Sequence, residues 1–193
     1  MHTFKKRHAV TLGMLTLFAG LCHAPTRAAD LYRAQGEMAG EVSTTSSIVQ
    51  TRLTSVDRNV EGDVPGAPGA VRFEYAVNEQ FERSRLTPWD SARAESDYIV
   101  KAVLRDLKPA TRYYYRVLYG VDQENARTGP TCSFRTLQGA TGTDAVSFVV
   151  VTGMNYSSFH GPKRTEKGPR PDRAAGSPAL KKLIDMELDF FVG

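Results

Sequence analysis

One short stretch constrains this chain more than any other: Leu107-Lys108-Pro109-Ala110-Thr111-Arg112-Tyr113. Pro109 fixes its own φ and withholds an N–H, and Thr111 bonds back to nearby backbone, so the segment reads as a turn. The next residues alternate, placing Tyr113, Tyr115 and Val117 on one face of a strand. Tyr113 then sits where its hydroxyl returns to the backbone beside the turn, a corner that ties a strand to a crossing between two β-sheets.

The flanking sequence supplies strands for both sheets. Residues 36–42 and 46–53 read as strands, the second rich in Ile48, Val49 and Thr51. Residues 57–69 hold three glycines and two prolines and read as a loop. Val71, Phe73, Tyr75 and Val77 alternate with Arg72, Glu74 and Ala76, the mark of a half-buried strand. Residues 80–86 offer it a short partner. Tyr98, Val100, Ala102 and Leu104 share a face, and residues 131–137 make a last strand with Cys132 and Phe134 inward. The corner resembles the Leu-x-Pro-x-Thr-x-Tyr signature of fibronectin type III domains, with every position met. The reading is a mainly β protein, opened by a fibronectin type III-like sandwich over residues 36–137.

The first 29 residues follow a different logic. Lys5, Lys6 and Arg7 precede an apolar run over residues 9–21, and small residues follow at Ala24, Ala28 and Ala29. This describes a secretory signal peptide cut after Ala28 or Ala29, with a secreted or periplasmic product. The run is too short for a stable membrane anchor, the basic run lacks the paired arginines of a twin-arginine signal, and Leu21 is poorly suited to precede a lipid-bearing Cys22. The whole chain has 25 basic and 21 acidic residues. Its first 29 residues take four of the basic ones and no acid, so the remainder is balanced, which argues against a nucleic-acid partner. Once Cys22 is removed, Cys132 has no cysteine to pair with and reads as a core thiol.

After residue 137 the pattern changes again. Residues 146–151 are apolar almost without interruption, as in strands of a parallel sheet covered on both faces. A polar loop spans 153–176. Ser177 and Pro178 can start a helix over 179–187, and residues 188–192 are again strand-like. The unit over residues 145–193 is thus β-loop-α-β, the opening of a layered α/β domain.

Three stretches resemble the alkaline phosphatase D-like metallophosphatases: Ala39-Gly40-Glu41 with Ile48 to Leu53, the tyrosine corner, and Phe148 to Tyr156 with Leu188 to Gly193. The resemblance implies a secreted phosphomonoesterase or phosphodiesterase. Two metal ions, of iron or calcium type, would activate a bridging water in a calcineurin-like catalytic domain. It places Asn155 and Tyr156 on the substrate side. It also exposes departures. Gly153 occupies the position of a metal-binding cysteine, Gln50 that of a tryptophan, and the family's next ligand lies in a Gly-Asp turn that begins where this chain reaches Gly193.

A count of donors agrees. The histidines are His2, His8, His23 and His160, and the first three lie in the leader. One His does not build a two-metal cluster, and His160 reads as a loop residue. The expectation is an N-terminal piece of a phosphoesterase that holds no metal and is inactive as it stands. The alternatives are a secreted fibronectin-type binding module, or a truncated product without a role. Lys163, Arg164, Lys167, Arg170 and Arg173 read as a solvated loop diluted by Glu166 and Asp172, and Trp89 as rim packing rather than a ligand platform.

Overall fold

A computed structural model describes residues 30–60, 63–152, 182–186 and 188–192. The predicted leader, the loop bearing Gly153, Asn155, Tyr156 and His160, and the basic run 163–173 all lie outside the described residues.

Nine strands build the sandwich: β1 (Glu37–Gly40), β2 (Ser47–Arg52), β3 (Gly69–Ala76), β4 (Arg85–Leu86), β5 (Asp90–Ala92), β6 (Ile99–Leu104), β7 (Arg112–Gly120), β8 (Arg127–Thr128) and β9 (Cys132–Arg135). A three-stranded sheet runs β1-β2-β6. The six-stranded sheet runs β4-β3-β7-β8, with β5 also on β3 and β9 also on β7. All these pairs are antiparallel. The fold is therefore the fibronectin type III-like sandwich expected from the corner and the alternation around it.

Alternation explains the core. Val49 from β2, Val71 and Phe73 from β3, and Val117 from β7 are wholly buried, with Leu104, Tyr113 and Tyr115 nearly so. Register holds them there, for example Phe73 opposite Val117 and Tyr75 opposite Tyr115. A one-residue slip would turn each of these rows to solvent. Each fully buried side chain of this size contributes about 1.5–3 kcal/mol. Leu31 also enters the core, ahead of residue 36, and Tyr32 bridges Thr54. Tyr98, Ala102 and Cys132 pack against the core from partly buried positions.

Some details depart from the alternation. β3 ends at Ala76, and Val77 is exposed. The partner expected over 80–86 shrinks to two residues, because the chain turns through Phe81 and Arg83 at positive φ. Asn78 ties that turn, its Oδ1 accepting from the Glu82 N–H at 3.0 Å. β5, after Pro88 and Trp89, went unanticipated. The loop over 57–69 is more anchored than its composition suggests: Ala67 is buried, and the Tyr98 ring lies where a Cβ on Gly66 would sit.

Beyond the sandwich, β10 (Phe148–Val150) and β11 (Phe190–Val192) pair in parallel, Phe148 opposite Phe190 and Val150 opposite Val192. Residues 182–184 between them are helical. The parallel pairing agrees with the apolar run. Coverage on both faces does not: Val146, Phe148, Val150, Phe190, Phe191 and Val192 are all exposed.

Candidate functional site

The tyrosine corner is built from several directions. The Lys108 N–H donates to Tyr113 Oη at 2.9 Å. Thr111 Oγ1 donates to the Pro109 carbonyl at 2.8 Å, holding the turn from inside. Ala110 takes a positive φ of 51°, and its N–H reaches the Leu137 carbonyl at 3.0 Å. Thr136, only 2% exposed, closes the arrangement: its hydroxyl donates to the Lys108 carbonyl at 2.6 Å and accepts from the Thr111 N–H at 2.9 Å. Nothing in the sequence marked Thr136, because its role rests on β9 folding back beside the turn. Pro109, Thr111 and Tyr113 thus shape the fold, and their hydrogen bonds are made to the turn itself.

Ligands of parallel sheets gather at the carboxyl ends of the strands. Those ends of β10 and β11 lie side by side, where the Val151 N–H donates to the Val192 carbonyl at 2.8 Å. Val151 and Thr152 lead from this end towards the candidates Asn155 and Tyr156, which are themselves outside the described residues. At the opposite end, Asp189 Oδ2 accepts from the Ser147 N–H at 2.8 Å and from its hydroxyl at 3.1 Å. Those bonds hold the Asp189 carboxyl below the usual carboxylate range.

Among the described residues, no three His, Cys, Asp or Glu side chains come together. The donor set of the sandwich therefore does not fit a pair of metal ions. A polar centre between β1 and β9 joins Glu37, Arg33, Tyr115 and Cys132. Arg33 Nη1 lies 3.0 Å from Glu37 Oε1. Burial pushes the Glu37 carboxyl up against the pull of the Arg33 guanidinium, and burial also raises the Tyr115 hydroxyl and the Cys132 thiol. Cys132 is a partly buried thiol, and the rise that burial gives it is that of a structural cysteine.

On the rim, the Arg72 guanidinium lies 4.5 Å from the centre of the Trp89 ring. Trp89 is accordingly a packing element. It lines one wall of a crevice between the edge segment carrying β4 and β5 and the edge strand β6.

The described residues thus form an antiparallel two-sheet sandwich followed by one pair of parallel strands. Residues 22–138 match the family described as PhoD-like phosphatase, N-terminal domain. The chain belongs to this family. Among solved structures it is similar to one described as the structure of PhoD, at 19% identity and a TM-score of 0.48; the match covers 82% of this chain and 26% of that one. It is also similar to the sensor domain of the anti-sigma factor RsgI4 of Pseudobacteroides cellulosolvens, at 20% identity, TM-score 0.37, over 51% of this chain and 87% of that one. A third likeness is the fibronectin type-III domain of human fibronectin type III domain containing protein 3, at 13% identity, TM-score 0.38, over 55% of this chain and 88% of that one. Comparison with curated proteins gives no match. The chain thus spans about a quarter of the length of the first of these structures.

Proposed function

We propose that this chain provides the sandwich domain of an exported, metal-dependent phosphoesterase, and that β10 and β11 begin its catalytic sheet. The observation that carries this reading is the parallel β10–β11 pair directly after a domain of the PhoD-like N-terminal family. Bound metals would supply an activated water. The sandwich would take no part in that chemistry and would hold the first catalytic strand by its connection at residues 138–147. There the Gln138 amide caps the segment, donating to the Asp144 carbonyl at 2.9 Å and accepting from the Asp144 N–H at 2.9 Å. Asn155 and Tyr156, following the carboxyl end of β10, are the residues we assign to the substrate side, and Gly153 contributes no ligand.

Hydrolysis of p-nitrophenyl phosphate and bis-p-nitrophenyl phosphate, with metal content measured on the same sample, tests this. This chain alone should bind no metal pair and release no nitrophenol, because residues 30–193 contain the single histidine His160. A polypeptide carrying this sandwich together with a complete catalytic domain should do both. Turnover by this chain with two metals bound would overturn the assignment. For export, mass spectrometry of the protein recovered outside the cytoplasm should find an N-terminus at Ala29 or Asp30; an intact Met1 there would refute cleavage.

A further inference from the structure

The crevice beside Trp89 has the features of a strand-accepting site. Its volume is about 380 Å³, at the lower end of the range of ligand clefts (about 300–1,000 Å³). Behind the crevice lie the core residues Val71, Phe73 and Val100, with the partly buried Ala102 at its surface. One lip is β6, the last strand of the three-stranded sheet; among the described residues no strand pairs with its outer edge. That edge presents backbone N–H and C=O groups that an added strand would satisfy.

Side chains along the same edge specify what could pair there. Val100, Ala102 and Leu104 point inward, so the alternate row carries Lys101 and Val103, with Arg105 just beyond. All three are exposed, Val103 by 46%. Across the crevice stands Arg85, over the Tyr75 ring at 5.0 Å and, among the described residues, bonded to the Asp106 carbonyl alone. Among the described residues no carboxylate forms an ion pair with Arg85, Lys101 or Arg105. Asp90, an acid in the lining, is turned to the Ser91 N–H at 2.7 Å.

We propose that this crevice takes an extended acidic segment of a partner polypeptide, added as a fourth strand on β6. Its residues facing Lys101, Val103 and Arg105 would run acid, apolar, acid at every second position, so that each cross-strand pair matches. Main-chain bonds supply the affinity and the side-chain row the choice of partner. Cationic residues on an edge also repel strands of like charge, and for that reason an acidic strand is the one this edge admits.

Titration calorimetry on the full chain tests the proposal with a synthetic heptapeptide. Its probe sequence alternates threonine with aspartate, valine and glutamate, so that the two acids flank the valine at every second position. A control replaces both acids by lysine, and a second control N-methylates the amides of the bonding edge. The acidic peptide should bind saturably and the two controls should not. Lys101→Glu with Arg105→Glu should weaken the acidic peptide about tenfold and admit the lysine peptide, since two exposed ion pairs become two repulsions. Circular dichroism checks the fold of that variant; if it unfolds, Lys101→Gln with Arg105→Gln gives the same comparison with a smaller loss. Absence of binding, equal affinity for the acidic and lysine peptides, or undiminished binding of the N-methylated peptide would each overturn the proposal.

Discussion

The sandwich and the β10–β11 pair are made of similar residues put to opposite use. In the sandwich, apolar residues alternate with polar ones, so one row from each sheet closes a core and the outer rows meet water or each other. On the outer face of the larger sheet, Arg116 pairs with Glu74 at 2.7 Å and lies over the Phe81 ring at 3.9 Å. In β10 and β11 the apolar residues are consecutive, and two strands cannot cover both of their own faces. Phe148 and Phe190 stack at 5.1 Å between ring centres, yet both remain exposed. Alternation makes a unit that can stand by itself, whereas continuity makes one that needs neighbours.

Hydrogen exchange should separate the two regions most widely. Amides of β3 and β7, deep in the six-stranded sheet, open only with the whole domain, while a two-strand ribbon opens locally. Protection at residues 71–75 and 115–119 should exceed that at 148–150 by more than about a hundredfold. Equal protection in a monomer would erase the contrast.

The next largest effect is a cavity. Phe73→Ala should destabilise the chain by about 3–5 kcal/mol, because Phe73 is fully buried. Phe148→Ala, which removes an equal ring from an exposed site, should cost a small fraction of that in a urea melt. A third, smaller test concerns the corner. Tyr113→Phe leaves the Lys108 N–H without its acceptor and should cost about 0.5–1.5 kcal/mol, while Tyr114→Phe, on the outer row of β7, should stay within about 0.5 kcal/mol. Coincident midpoints for the two variants would show that the 2.9 Å bond contributes nothing.

These contrasts also mark what could be read from the chain. Residues at period two told their own story: Phe73, Tyr75, Tyr113 and Val117 are buried because alternation leaves them no other face. The corner was legible because Pro109 and Thr111 act on backbone within a few residues. Thr136 was not, since its partners Lys108 and Thr111 lie more than twenty residues away and meet it only after β7 and β9 pair. The turn at Phe81 was missed because positive φ at non-glycine residues leaves no mark in composition, and β5 because Asp90, Ser91 and Ala92 carry no strand propensity of their own. The exposed faces of β10 and β11 were legible in part, because a continuous apolar run beside one expected helix and one further strand lacks cover for both faces; what covers it is not written in the run. Of the candidate site, Asn155 and Tyr156 rest on resemblance, and the crevice on β6 emerges only from two sheet edges brought together.

A fourth prediction uses the polar centre between β1 and β9. The Glu37 carboxyl is raised above its ordinary value of 4.5 by burial. A carboxyl raised by folding gives stability that is full below pH 4.5 and is lost as pH rises through the folded value. Glu37→Gln removes that titration. The difference in unfolding free energy, native minus variant, should therefore fall as pH rises from 4.5. Exposed acids held low, such as Asp97 and Asp122, act in the opposite sense below pH 3.8 and are common to both chains, so they cancel. A flat or rising difference would mean that Arg33 outweighs burial at this site.

The smallest effect on stability is expected at the ribbon itself, and it bears most directly on the comparison. Phe191 is 57% exposed and lies on β11, whose edge away from β10 has no strand partner among the described residues. Removing its ring uncovers nothing in the sandwich core, which draws its side chains from residues 31–134. Phe191→Ser should therefore move the urea midpoint of the sandwich by no more than about 0.5 kcal/mol. The same change should reduce self-association, because a contiguous exposed apolar surface with open strand edges is a template for other chains. Light scattering at increasing protein concentration, read beside the urea melt, separates the two effects. A large loss in the melt would place Phe191 in the cooperative unit of the sandwich and dissolve the distinction between the regions. An unchanged melt with unchanged association would show that this apolar surface is already covered in the folded chain.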